Sequence, residues 1–456
     1  MNVALGLVVV AMITRYLGPT SYGYYVLLLS FGTIAQLTAD AGLYLTLSRQ
    51  LAQSPRRAAS LLSNTVSLRA VLLTAAFLVG TAVAAVLPPF TGLLVPFLII
   101  ALGLGLQSMS QLYMSVFQYH QTVWRATVGD LTGRAAQIIG IVLIGLLAPT
   151  LTGVASMFAL GSAVALGLHW FLSPIRRLSL TARSPRSWRA LLAVSWPLGL
   201  LLLLNAIYFR IDTVVLSLWR PVDEVAWYGL AYRIVESALF FPAMLGGLLL
   251  PRLSETVHKQ VHRASEYLGQ GLRLVLVAAG AALAILISVG TDIVVFIAGP
   301  SFAPSGPLLA LLSWALAIMF VGNMFGFALV ALERQRLLLW LYAALAIGNL
   351  IANLLFIPRW GASAAALTTI GTEGLAMGIA GLVVWQALRL QFPWLLVVQV
   401  AIVTIGGSLL LGALPSTWHI LVRLAVFAVA YGLVVWVSGM VGKRHLALLR
   451  EVAHTT

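Results

Sequence analysis

Between residues 210 and 236 the chain reads RIDTVVLSLWRPVDEVAWYGLAYRIVE, and Arg210, Asp212, Arg233 and Glu236 interrupt two otherwise apolar stretches. Read as two helices turning near residue 222, the stretch places all four charges at a similar depth, ~15–20 Å from one membrane surface by helical rise. Arg210 and Asp212 are two apart, roughly 200° around a helix, and cannot pair within it. Arg233 and Glu236 are three apart and share a face. Cross-helix pairs of Asp212 with Arg233, or Arg210 with Glu236, are geometrically open. Charge at membrane depth either pairs with charge or marks a functional site. One chemistry is a structural lock between the two helices. The other is an arginine turned to a cavity, where the planar guanidinium fork suits phosphate oxygens.

Other charges within apolar stretches raise the same choice. Asp130 and Arg134 are four apart on one face, which favours a self-contained pair. Arg69 lies within about two turns of a span end, so its head can snorkel to the interface or attract an anionic headgroup. Asp40 and Glu373 have no opposite charge within four residues. Each is expected to meet a distant cation or to take up protons in ion coupling. Asp292 reads as an interfacial charge. His258 and His262 are spaced for a shared ligand, but the surrounding HKQVHRASE reads as a solvated helix and no metal is expected. Gly374 and Gly378 form a small-xxx-small pair that predicts close helix packing. Trp219, Trp227, Tyr228, Trp360, Trp394 and Trp418 sit near span ends, as an interfacial belt would.

These residues are carried by a chain of 456 residues that is 61% hydrophobic and only 9% charged. Soluble domains are about half apolar and roughly a quarter charged, so this is a polytopic membrane protein. Apolar runs between charged or Pro/Gly breaks predict fourteen spans. They fall near 1–14, 22–47, 61–87, 93–118, 122–147, 151–173, 190–219, 225–250, 267–297, 306–331, 337–357, 361–388, 394–414 and 417–441. Their continuity excludes the alternation of barrel strands. Cysteine is absent, which removes disulfide and thiolate chemistry. Of 27 Lys and Arg, 18 fall in alternate loops, four in the opposite loops and five within spans. The basic side is expected in the cytoplasm, with the C-terminus and the 174–189 linker. This scatter also argues against nucleic acid as a partner. The first span is too short to cross, at ~1.5 Å per residue, which predicts an upstream start or a truncated sequence. PTSYGYYVLL (19–28) and PVDEVAWYGLA (221–231) echo one another, as in a two-lobe transporter plan.

Four stretches carry a family likeness: TRYLGPTSYGYYVLLLS (14–30), the 208–255 segment that opens YFRIDTVV and ends LLLPRLSE, GPSFAPSGPLLALLSWA (299–315) and NLIANLLFIPRWGASAAALTTIGTE (349–373). In these the chain resembles bacterial oligosaccharide and polysaccharide flippases, within the superfamily that includes multidrug extruders and the lipid II flippase. The resemblance implies an all-α membrane protein of about fourteen transmembrane helices, with two six-helix lobes around a central cavity. The expected division is 1–173, the basic linker 174–189, 190–388, and two further helices with a basic tail in 389–456. The short first span departs from the family pattern. The resemblance also implies a polyprenyl-pyrophosphate-linked glycan, moved from the inner to the outer leaflet of the bacterial cytoplasmic membrane by alternating access. Arg210, Arg233, Arg134 and Arg69 are then the candidate substrate residues. Asp212, Glu236, Asp130, Asp40 and Glu373 are their charge partners or coupling groups. No cofactor is expected beyond a coupling ion, H+ or Na+, and the partners are the glycan substrate, membrane lipids and other polysaccharide assembly proteins. A multidrug extruder is the alternative. A polysaccharide polymerase or ligase would need a large outer loop, and none here exceeds about ten residues by the span boundaries above.

Overall fold

A computed structural model describes residues 2–54, 57–147, 149–175, 185–390 and 393–442. The basic linker residues 176–184 and the tail from 443 lie outside the described residues. Fourteen α-helices make up the described chain, with two short 3-10 turns at Pro88–Phe90 and Pro300–Phe302. In order they are α1 (Asn2–Asp40), α2 (Leu43–Gln53), α3 (Ala58–Val86), α4 (Leu94–Tyr119), α5 (Val123–Leu147), α6 (Leu151–Leu172) and α7 (Pro185–Trp219). There follow α8 (Val222–Ala238), α9 (Phe240–Thr256), α10 (Val261–Ala298), α11 (Ser305–Ala331), α12 (Gln335–Leu388), α13 (Trp394–Ala413) and α14 (Ile420–Val437).

Twelve stretches of the described residues are helical, long and apolar enough to cross a bilayer. Two of these hold two predicted spans each. The 50-residue stretch Ala4–Gln53 bends at Gly18, whose φ of 69° is a left-handed value before Pro19. The 54-residue α12 bends at Gly361, with φ 58° three residues after Pro358. At 1.5 Å per residue, 54 residues reach about 80 Å, more than twice the ~30 Å bilayer core. A glycine tolerates the left-handed turn that doubles the chain back, so the count of about fourteen spans is compatible with twelve continuous stretches.

The chain forms two compact units, Met1–Ala226 and Trp227–Thr456. In the first, α4, α5 and α6 pack on one another while α1 lies against α3 and α7. Leu47, Leu51, Leu62, Leu112, Val116 and Phe117 are fully buried where α2, α3 and α4 meet. In the second, α11 packs between α10 and α12, and α13 and α14 dock on α10. Phe427, Tyr431, Leu411 and Val400 form that docking core. The Tyr431 hydroxyl donates to the Val277 carbonyl at 2.9 Å, and Arg423 binds Asp292 at 2.6 Å. Asp292 is therefore more than an interfacial charge: it holds an almost fully buried arginine, whose Nη2 also donates to the Leu411 carbonyl at 3.1 Å.

Small residues decide how close the helices of the first unit come. On α5, a Cβ at Gly133 would meet the Gly161 carbonyl oxygen of α6 at 2.5 Å, and one at Gly129 would meet the His169 ring at 2.3 Å. Gly374 and Gly378 behave differently from expectation. A Cβ at either meets nothing within 4 Å, so this pair does not mediate close packing. The spacing puts two glycines on one helix face, but only tertiary structure decides whether a neighbour lies there. Of the residues expected in an aromatic belt, Trp219, Trp360, Trp394 and Trp418 are exposed, whereas Tyr228 is fully buried.

Candidate functional site

Within the first unit a cavity of about 490 Å³ opens between α1, α2, α4, α5, α6 and α7. Its wall carries Asp40 and Tyr44, Gln107, Ser110 and Gln111, Asp130, Arg134 and Gln137, and Ser162 and His169. Helical periodicity explains the grouping. Asp130, Gly133, Arg134 and Gln137 follow at spacings of three and four, so one face of α5 looks into the cavity. Gln107, Ser110, Gln111 and Met114 form the same ladder on α4. Leu37, Phe158 and Leu202 supply the apolar wall.

Asp40 and Arg69 meet. Arg69 Nη2 binds Asp40 Oδ1, with the arginine side chain 0% exposed and the aspartate 3%. The same Nη2 donates to Gln111 Oε1 at 3.3 Å. This corrects the expectation for Arg69, which neither snorkels nor faces an aqueous surface: its head is drawn into the interior by the carboxylate of α1. Asp40 thus has its distant cation, 29 positions along the chain. Arg69 Nε and Nη1 have no hydrogen-bond partner among the described residues. An arginine so placed is held by burial and charge, and only Asp40 and Gln111 transmit its presence to the cavity.

Asp130 is 40% exposed in the cavity wall and lies 3.7 Å from His169 Nε2. Arg134 Nη1 donates to Gln137 Oε1 at 3.4 Å. His169, buried at the end of α6, escaped the sequence reading although it links three helices. Its Nε2 donates to the Ala126 carbonyl at 2.9 Å, and its Nδ1 lies 2.5 Å from Ser110 Oγ. The carbonyl can only accept, which places a hydrogen on Nε2. A lone histidine in GLHWFL was the available signal, but its partners come from α4 and α5 and leave no local pattern.

The four charges of 210–236 separate between the two units. Arg210 and Asp212 belong to the first. Asp212 is 3% exposed, and its Oδ1 accepts from the Thr213 backbone N–H at 2.7 Å. Arg233 and Glu236 belong to the second and pair with each other along one helix face at 3.2 Å, with exposures of 43% and 20%. At the start of α8, Thr20 Oγ1 donates to Asp223 Oδ1 at 2.7 Å, and Arg220 grips Glu224 at 2.7 Å. The two echoing segments, 19–28 and 221–231, thus touch through Thr20 and Asp223.

In the second unit Glu373 is 9% exposed at the end of a buried polar ladder across the two halves of α12. Thr368 Oγ1 donates to Asn353 Oδ1 at 2.7 Å, Asn353 Nδ2 to Asn349 Oδ1 at 2.8 Å, and Asn349 Nδ2 to Thr372 Oγ1 at 3.4 Å. The bend at Gly361 brings these side chains together. His262 and Glu266 form an exposed pair at 3.4 Å, and among the described residues no cluster of three metal-ligating side chains occurs.

Among the described residues the protein is helical, with a polar cavity inside its first unit. A sequence model of the polysaccharide biosynthesis protein family matches residues 1–257, and the chain belongs to that family. Its fold is similar to that of the lipid II flippase MurJ in an inward closed conformation, with a TM-score of 0.78, 14% identity, and coverage of 95% of this chain and 96% of that one. It is also similar to an inward-facing multidrug resistance MATE family transporter of the MOP superfamily, with a TM-score of 0.69, 15% identity, and coverage of 85% and 95%. A Vibrio cholerae MATE transporter matches with a TM-score of 0.57 and 14% identity over 85% of this chain and 93% of that one. No curated protein sequence matches. The chain is a multi-pass membrane protein of the flippase and MATE fold.

Proposed function

We propose that this protein moves a polyprenyl-pyrophosphate-linked oligosaccharide from the inner to the outer leaflet of the bacterial cytoplasmic membrane, by alternating access, for surface polysaccharide assembly. The observation that carries the reading is the cavity of the first unit, where polar side chains from five helices converge inside an otherwise apolar molecule. Polar groups at membrane depth are costly and are retained where a polar cargo passes. Membership of the polysaccharide biosynthesis family supports the cargo class. The cargo's polyprenyl tail stays in lipid while its headgroup enters the protein. Arg134 lines the cavity that takes up the headgroup, Arg210 and Arg233 are the candidates to meet the pyrophosphate in this reading, and Arg69 is withdrawn to hold Asp40. Glu373 and Asp130 remain the candidates for coupling to H+ or Na+. The excess of basic residues in alternate loops supports a cytoplasmic C-terminus.

Multidrug extrusion is the second reading. Asp40 and Asp130 in the cavity wall and the MATE likeness favour it, since carboxylates attract cationic drugs. Complementation separates the two. The full-length chain should restore glycan export to a flippase-deficient strain, and Arg134→Ala should reduce that export. Drug resistance conferred on a pump-deficient strain, with no export of any tested glycan, would select the extruder.

A further inference from the structure

We infer that the cavity of the first unit is a subsite for an uncharged sugar, and that the pyrophosphate of the cargo binds elsewhere. The inference rests on the flippase reading and assigns part of the cargo to a place. Its first support is hydrogen-bond chemistry. Gln107 and Gln137 present amides, and Tyr44 and Ser162 present hydroxyls, so both donors and acceptors line the wall. A sugar hydroxyl both donates and accepts, and is satisfied by that mixture. A phosphate oxygen only accepts and needs a wall of donors. A lipophilic cation needs unbalanced negative charge.

The second support is the charge balance. The cavity holds two carboxylates, Asp40 and Asp130, against two guanidinium groups, Arg69 behind Asp40 and Arg134 one turn from Asp130. The carboxylates and guanidinium groups therefore balance, with no excess of either to hold an anion or a cation. A pyrophosphate brought against Arg134 would also meet Asp130 on the same face and be repelled.

The third support is size and shape. About 490 Å³ falls in the roughly 300–1,000 Å³ range of small-molecule sites. A short sugar fits this space, and a long glycan must extend out of it. Phe158 offers an apolar surface for the C–H face of a ring. Gly133 and Gly161 add no side chain to the cavity, and α5 and α6 close against each other there to form its floor.

Saturation-transfer NMR on the purified full chain tests the assignment with four probes: the N-acetylglucosamine disaccharide, glucuronic acid, inorganic pyrophosphate and tetraphenylphosphonium. The disaccharide should bind about tenfold more tightly than either anion. Gln107→Leu and Gln137→Leu should each weaken it about tenfold, as loss of a buried hydrogen bond to ligand would. Ser162→Trp should abolish the signal by filling the space. Melting temperatures matching wild type confirm that the glutamine variants fold. Pyrophosphate or the cation binding more tightly than the disaccharide would overturn the inference, as would a disaccharide signal that is absent or indifferent to all three substitutions. Restored glycan export without disaccharide binding would sink the subsite and leave the flippase reading intact. Disaccharide binding without export of any glycan would do the reverse.

Discussion

Arg69→Ala should be among the most destabilising single substitutions in the first unit. Both members of the Asp40–Arg69 pair are buried, with side-chain exposures of 3% and 0%. Removing one partner of such a pair strands the other charge in a low-dielectric interior, at a cost of about 3–5 kcal/mol. Arg69→Ala strands Asp40 and leaves Gln111 Oε1 without its donor, whereas Asp40→Ala strands a guanidinium that already has two unmet donors. Replacing both by apolar residues of similar size, Asp40→Leu with Arg69→Met, removes the charges together and is expected to be close to neutral. The double variant should therefore be more stable than either of its constituent singles, Asp40→Leu or Arg69→Met, by about 3–5 kcal/mol, the cost of the one stranded charge in each single. Thermal denaturation of purified protein in detergent, monitored by intrinsic tryptophan fluorescence, reads this ordering. Singles within about 0.5 kcal/mol of wild type, or a double equal to the sum of the singles, would refute the reading of a buried interdependent pair.

Three further expectations follow from packing and from contacts between helices. Gly133→Val should destabilise by about 1–3 kcal/mol, because its side chain is driven into the Gly161 carbonyl of α6, while Gly378→Ala should be neutral or stabilise by up to about 1 kcal/mol; melting temperatures of the two variants check the contrast. Arg423→Ala should loosen α13 and α14 from α10 by breaking the 2.6 Å bond to Asp292 and the bond to Leu411, seen as faster proteolysis after residue 390, with Asp292→Asn milder because that carboxylate is 49% exposed. Because the chain contains no cysteine, Thr20→Cys with Asp223→Cys should be joined by a short bifunctional thiol reagent, and the single variants should not; failure of the double variant to react would contradict the 2.7 Å contact between α1 and α8.

Local patterns were the legible ones. Apolar runs placed the helices because each must satisfy its backbone within itself to sit in lipid, and fourteen predicted spans correspond to twelve stretches, two of them bent at a glycine. The Arg233–Glu236 pair was legible because three residues separate its members. Asp40 and Arg69 were not seen as partners because their contact joins α1 to α3, and no spacing rule reaches across that distance. His169 was missed for the same reason: its meaning lies in Ser110, Ala126 and Asp130, on two other helices. Gly374 and Gly378 misled because spacing identifies a face and not what the face touches. The glycines that do set helix separation, Gly129, Gly133 and Gly161, carry the same local appearance.

The proposed function also predicts why the cavity tolerates charge. Each carboxylate in its wall has a cationic or protonatable neighbour, Arg69 for Asp40 and His169 for Asp130. A conduit for a polar headgroup needs hydrogen-bonding capacity at membrane depth without a charge strong enough to trap what it binds.

Leaflet exchange by the purified protein tests the central claim most directly. The full chain would be reconstituted into liposomes holding a fluorescent polyprenyl-pyrophosphate disaccharide, and the outer-leaflet label quenched with a membrane-impermeant reductant. Without protein, only the outer-leaflet share of the label is lost. With it, label from the inner leaflet should also become accessible over minutes, and Arg134→Ala should slow that second phase. Quenching that stops at the protein-free level, in liposomes where the same preparation exchanges a cationic drug across the membrane, would contradict the flippase account.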